Sequence, residues 1–231
     1  DTVVCEEIAA PEEQDAVVAL RAAGLTVRTV WQSSLLDPAA LPFAVERLPK
    51  VFTDFRRAVE AAGQQPPVPL AAPAVLPPLP APVVLPPHSL FEPLRMGDRA
   101  LGASFPWWQP AFAGGERAAL AHLARYFAGD LAKHYKATRN GLSGVDFSSK
   151  FSPWLAQGAL SPRVAFAALR RHEAEQGASE GSYWLWFELL WRDYFRFLHL
   201  QHGRRLYRAR GLNEARSEER RVGKECKPEC R

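Results

Sequence analysis

Tyr183-Trp-Leu-Trp-Phe-Glu-Leu-Leu-Trp-Arg-Asp-Tyr-Phe-Arg-Phe-Leu198 is the stretch on which the fold turns. It holds neither glycine nor proline and lies between Ser182 and Gly203, so it predicts one long helix from Ser182 to about His202. Read at helical spacing, Trp184, Phe187, Trp191, Phe195 and Leu198 form a stripe expected to face a core. Glu188, Trp191 and Arg192 stand at i, i+3 and i+4 on one face. Two readings are open for them. Glu188 and Arg192 form a local ion pair, worth on the order of tenths of a kcal/mol if exposed. Alternatively a carboxylate, an indole and a guanidinium together make a base-reading surface, where stacking combines with hydrogen bonds.

Working back toward the N-terminus, Ser161-Pro162 reads as a helix start leading into Val164–Glu175, a capping hydroxyl followed by proline in the first turn. Phe147-Ser-Ser-Lys-Phe-Ser-Pro153 places three hydroxyls and a lysine before a proline-initiated helix, either an anion cradle or a plain capped loop. Tyr135-Lys-Ala-Thr-Arg-Asn-Gly141 sits at a helix end, with Asn140-Gly141 as the turn signal. Tyr135 and Arg139, four apart, suit a stacking ring and a phosphate grip, or simply a surface terminus. Gly115–Asp130 predicts a helix with Leu120, Leu123 and Phe127 on its inner face. Eleven of the 20 prolines fall in residues 66–93, which excludes a regular helix or central strand there and predicts an extended linker.

Before the linker the pattern changes. Thr2–Cys5 reads as a buried strand, Pro11–Ala22 as an amphipathic helix and Leu25–Trp31 as a second strand. Strand, helix, strand in about 30 residues is an α/β unit. The glycine fingerprint of a dinucleotide site is missing from it. Pro49–Glu60 predicts a further short helix.

The 231 residues are 47% hydrophobic and 23% charged, which excludes a disordered or collagen-like chain. The net charge of +4 hides an asymmetry. Residues 1–132 carry 10 Lys/Arg against 14 Asp/Glu, while residues 133–212 carry 13 against 6. A polyanionic partner is therefore sought in the second segment. Three cysteines (Cys5, Cys226, Cys230) make no disulfide framework, and Cys226/Cys230 lack a second Cys/His pair, so no metal site is expected. With no secretory signal and no apolar run of about 18 residues, the expected location is cytoplasmic. The chain starts at Asp1 and its one methionine is Met96, which predicts a missing upstream piece. Residues 213–231 lose all amphipathic pattern and are expected to be a disordered or non-native tail.

Three stretches taken in order carry a resemblance: Tyr135–Leu142 (Y-x-x-x-R-N-G-L), Asp146–Arg163 (D-x-S-x-K-F-S-P-W-L-A-x-G-x-L-S-P-R) and Phe187–Phe197 (F-E-L-L-W-R-D-Y-F-R-F). They resemble the flavin-binding domain of the photolyase/cryptochrome family, the cryptochrome DASH branch above all. Val3–Glu7, Leu41-Pro42-Phe43 and Leu48–Arg56 are similar to that family's antenna domain.

The resemblance implies a partial, Rossmann-like α/β antenna domain (1–65) without its N-terminal start, then a proline-rich linker (66–112). The first half of an all-α FAD-binding domain (113–212) and the tail (213–231) would follow. It implies FAD held by Tyr135 and by Ser148, Ser149, Lys150, Phe151 and Ser152, with the serines on the phosphates. Arg139 would meet a DNA phosphate. Glu188 would hydrogen-bond a pyrimidine dimer, Trp191 would stack on it, and Arg192 would support the pocket. The antenna implied is 5,10-methenyltetrahydrofolate, touched by Glu6 or Glu7. The reaction implied is light-driven splitting of a cyclobutane pyrimidine dimer by an electron passed from reduced FAD and then returned. Single-stranded or UV-damaged DNA is the expected partner, with RNA a further candidate, and a monomer is expected. A single strand is the substrate in which extruding the lesion costs least. The flavin-proximal and electron-transfer residues are expected outside this chain, so no catalytic residue is assigned, weak FAD retention is anticipated and the chain alone is expected to be inactive. The other implied role is a blue-light receptor or nucleic-acid binder without repair.

Overall fold

A computed structural model describes residues 2–78, 105–106, 109–141, 144–209 and 211–212. Most of the proline-rich stretch, Met96, Leu142 and the tail with Cys226 and Cys230 lie outside the described residues. The chain divides into two compact units, one of residues 1–66 with 189 onward, the other of residues 67–188.

In the first unit, β1 (Thr2–Glu6) and β2 (Thr26–Val30) pair in parallel, Thr2 opposite Thr26 and Glu6 opposite Val30. α1 (Pro11–Ala22) joins them, with proline in its first turn and Glu12 and Glu13 complementing its N-terminal dipole. Gly24, at φ 84, supplies the left-handed residue that ends it. The reading of Thr2–Cys5 as buried is corrected: no residue of β1 is buried, and Val4 is 64% exposed. A parallel strand becomes a core element only when both its faces are covered, and this sheet has two strands. The amphipathic face expected of α1 is likewise not sealed, since Pro11 is its one buried residue.

α2 (Phe52–Ala61) starts three residues later than predicted because Val51 is still extended. Its Phe52, Phe55 and Val59, at i, i+3 and i+7, are buried. They meet Tyr194 and Phe197, with Phe55 5.3 Å from Tyr194 and 6.1 Å from Phe197 between ring centroids. The Tyr194 hydroxyl donates to the Pro49 carbonyl at 3.0 Å.

The second unit is helical: α3 (Glu116–Phe127), α4 (Leu131–Thr138), α5 (Ser152–Ala156), α6 (Pro162–Gln176) and the first turns of α7 (Glu180–His202). Ser161 caps α6 as predicted, accepting from the Arg163 N–H. Of the inner face expected of α3, Leu123 is buried and Phe127 half-buried against Phe151 and His172, but Leu120 lies outside it. Ala119, His122, Leu123 and Tyr126 are buried, while Leu120 is 42% exposed. The ring of Trp154 selects that face: it lies 5.1 Å from His122 and donates to the Ala113 carbonyl at 3.0 Å.

α7 runs through both units and begins at Glu180, two residues before Ser182. The predicted stripe is not its core face. Phe195 is 55% exposed, and Trp184, Phe187, Trp191 and Leu198 are half-buried. In the first unit the buried positions are Leu190, Asp193, Tyr194 and Phe197; Tyr194 and Phe197 meet α2, and Asp193 meets the backbone at Leu35 and Leu36. With aromatic residues on every side of the helix, spacing alone does not select among the rows. Among the described residues no helix is long and apolar enough to cross a membrane.

Candidate functional site

In the second unit, residues 144–151 form a loop held from below by α3. His122 is buried and its Nε2 lies 2.8 Å from the Ser149 carbonyl, so Nε2 carries the proton and donates. Burial keeps the imidazole below its ordinary pKa, outweighing the bond to the Ser149 carbonyl, which favours the protonated ring. Arg125 grips the Asp146 carboxylate through both terminal nitrogens at 3.0 Å. The Phe151 ring is sunk among His122, Tyr126 and Phe127 at 5.2–6.2 Å. Between these anchors Lys150 takes φ 57, a left-handed backbone that costs a non-glycine residue roughly 1–2 kcal/mol. Phe147 covers Gly141, where an added Cβ would run into its ring, and lies close against Gly144.

One end of α4 builds a second cluster with the start of α7. Tyr135 is 8% exposed, and burial pushes its hydroxyl up to about 12. One turn on, the Arg139 guanidinium pairs with Glu188 and lies over the Trp184 ring at 4.3 Å. Lys136 pairs with Glu180 and approaches the same ring at 5.7 Å. Thus Glu180, Trp184 and Glu188, each four residues apart on α7, face Lys136 and Arg139 on α4. Desolvation raises the Glu188 carboxyl, and Arg139 acts in the opposite direction. The close approach is possible because Gly181 lies directly against the Ala132 and Lys133 carbonyls, where a Cβ would not fit.

The first unit carries its own group of site candidates. The Trp191 ring stacks on Phe52 at 3.8 Å and 13°, and on Phe195 at 5.3 Å and 25°. Arg192 donates to the Ser33 carbonyl, and burial lowers its guanidinium to about 10. Asp193, fully buried, accepts from the Leu35 N–H at 2.9 Å and the Leu36 N–H at 2.7 Å. The charge of Glu6 acts on Arg192, raising its guanidinium against the effect of burial, while Glu7 lines an open cavity of about 180 Å³ with Glu13, Val17, Arg21 and Thr29.

No family model matches the chain. Among known proteins, it is 43% identical to cryptochrome DASH of Gloeobacter violaceus over 206 residues, covering 87% of this chain and 39% of that one. It is 45% identical to cryptochrome DASH of Vibrio parahaemolyticus over 179 residues, covering 78% and 37%. Its backbone superposes on the crystal structure of a Synechocystis cryptochrome with a TM-score of 0.74 at 38% identity, covering 88% of this chain and 42% of that one. A bacterial class III photolyase from Agrobacterium tumefaciens gives 0.57 at 26% identity, with 89% and 42% covered.

The chain belongs to the cryptochrome DASH family. It spans about two fifths of the length of the relatives it matches.

Of the positions expected to matter in a cryptochrome DASH, Tyr135, Arg139 and Glu188 are brought together in the second unit. The loop Ser148–Ser152 lies in that unit too, whereas Trp191, Arg192, Glu6 and Glu7 belong to the first. The loop's chemistry suits an anionic group. Ser148 and Ser149 are half-exposed and Ser152 is exposed. Among the described residues, none of these hydroxyls, nor the Lys150 ammonium, is hydrogen-bonded within the protein. Unspent donors on a loop fixed by His122 and Arg125 fit a flavin's diphosphate. The Phe151 side chain is an anchor facing inward, so only its backbone is available to a ligand. Sequence reasoning passed over two residues, His122 and Asp193. A histidine inside an Ala/Leu helix and a lone acid in an aromatic run were the available signals.

Proposed function

We propose that the chain serves a blue-light-dependent flavoprotein that repairs cyclobutane pyrimidine dimers in single-stranded DNA. In this reading Ser148, Ser149, Lys150 and Ser152 hold the FAD phosphates, the Phe151 backbone adjoins them and Tyr135 borders the flavin. Arg139 takes a DNA phosphate, Glu188 hydrogen-bonds the dimer, Trp191 stacks on it and Arg192 supports the pocket. A folate antenna rests near Glu6 or Glu7. When bound, reduced FAD supplies the photoexcited electron that splits the cyclobutane ring and is then returned. The protein's own residues orient the cofactor's phosphates, position the lesion and keep Tyr135 protonated. The observation that carries the reading is the meeting of Arg139 and Glu188, 49 residues apart in sequence, in one cluster beside Tyr135.

One observation favours a second reading, a light receptor or nucleic-acid binder without repair. Two rings already stack on Trp191, the residue assigned to the dimer. The test uses the full-length protein, because the flavin-proximal and electron-transfer residues are expected outside this chain: it is loaded with FAD, passed through gel filtration and illuminated with blue light on a dimer-containing oligothymidylate. Flavin that co-elutes and is lost in the Ser148→Ala/Ser149→Ala variant, with dimer splitting, is the expected result. Retained flavin without splitting selects the second reading. A colourless protein refutes the cofactor assignment.

A further inference from the structure

The arginine assigned to a DNA phosphate is already engaged. Arg139 already gives an N–H of one terminal nitrogen to Glu188 and lays one planar face on the Trp184 ring, so its charge has a partner within the protein before any ligand arrives. The neighbouring pair shows what an ordinary surface contact looks like here. Lys136 and Glu180 retain 43% and 67% side-chain exposure, against 26% and 35% for Arg139 and Glu188. Lys136 also sits farther from the shared indole, 5.7 Å against 4.3 Å. One ion pair is open to solvent and competing ions, whereas the other is half-enclosed.

From this we infer that Glu188 is a specificity-determining residue: its carboxylate holds Arg139 away from ordinary phosphates, and a ligand that engages Glu188 releases the arginine for phosphate binding. The part concerning a lesion rests on the reading given under Proposed function, while the masking of Arg139 rests on the geometry alone. The physical logic is competition. An undamaged strand offers Arg139 a phosphate but must displace a partner already in place, so the exchange of one anion for another gains little. A dimer whose edge hydrogen-bonds to the Glu188 carboxylate draws that group off Arg139 without leaving it unpaired, and the freed guanidinium then adds its phosphate contact. Specificity arises because wrong partners meet an arginine that is already satisfied. Trp184 keeps the guanidinium oriented through the exchange, since the cation–π contact does not depend on which anion occupies the edge.

The experiment measures binding of a fluorescein-labelled, undamaged 12-mer oligothymidylate to the full chain by anisotropy at low salt. Glu188→Gln preserves shape and removes the competing charge. Affinity is expected to rise about five- to tenfold, the worth of roughly one recovered phosphate contact. Glu180→Gln, at the open pair, changes it less than twofold. Glu188→Gln/Arg139→Gln removes both charges of the pair together, so against undamaged DNA it is expected within about twofold of wild type, and it serves even if Glu188→Gln fails to fold. The inference is overturned if folded Glu188→Gln binds undamaged DNA no more tightly than wild type, or if Glu188→Gln/Arg139→Gln binds it severalfold more weakly than wild type. A dimer-containing 12-mer separates the two layers. Loss of its preference over undamaged DNA in Glu188→Gln supports the lesion-driven release. A wild-type chain with no such preference, together with tighter binding by Glu188→Gln, sinks the lesion reading and leaves the masking intact.

Discussion

Asp193 is a buried carboxylate on which two opposing effects act, and one substitution shows which dominates. Its two oxygens accept the Leu35 and Leu36 N–H groups, and Arg192 and Arg196 are nearby; all of these favour the ionised form. Complete burial opposes them and prevails, pushing the carboxyl from 3.8 up to about 6. An acid whose folded pKa is raised binds its proton more readily when folded, so its contribution to stability grows as pH falls from about 7 toward 4. With values of about 6 folded and 3.8 unfolded, Asp193 adds about 1.4 kcal/mol of stability between pH 8 and pH 5. Asp193→Asn cannot titrate. At pH 8 it orphans one buried N–H, since the amide nitrogen turns a donor toward a donor, costing about 1–3 kcal/mol. At pH 5 the same substitution should cost about 1.4 kcal/mol more than at pH 8. The assay is urea denaturation followed by tryptophan fluorescence at both pH values, with equal m-values as the control for two-state behaviour. Taking the difference between wild type and variant cancels every other titrating group. A penalty that shrinks on acidification would refute the reasoning, because it would mean that the N–H bonds and arginines outweigh desolvation.

Two further substitutions test the second unit. Gly181→Ala should lower stability by about 1–3 kcal/mol in thermal denaturation, because the new Cβ meets the Ala132 and Lys133 carbonyls; a stabilised variant, which helix propensity alone would give, contradicts the close approach. His122→Phe keeps a ring against Trp154 but removes the donor to the Ser149 carbonyl, so it should cost about 1–2 kcal/mol and weaken FAD retention on gel filtration, while unchanged retention would detach His122 from the loop's geometry.

The contrast between what the sequence predicted and what it missed follows from the range of the interactions involved. α1 is found at its predicted bounds, and the starts of α6 and the end of α4 fall where Ser161-Pro162 and Asn140-Gly141 place them, since caps and turn residues act within a few positions. Which face a helix buries is decided by distant partners. Leu120 is as apolar as Leu123, yet the inner row of α3 includes His122, because Trp154 and the Ser149 carbonyl give that imidazole both a packing surface and an acceptor.

The same limit governs the site. Motif order identified Arg139 and Glu188 as separate contacts to DNA, and nothing in their spacing links two residues 49 positions apart. Only the docking of α4 on α7, permitted at Gly181, makes them partners. Their pairing changes the chemistry expected of each. A free arginine would bind any strand and contribute affinity without discrimination, as phosphate contacts do. An arginine held by Glu188 contributes to binding only when something better than a phosphate engages the carboxylate, so the recognition of a base-level feature becomes coupled to the gain in backbone affinity. Positive charge concentrated in residues 133–212 therefore does not translate directly into nucleic-acid affinity, because Lys133, Lys136 and Arg139 each already face a carboxylate.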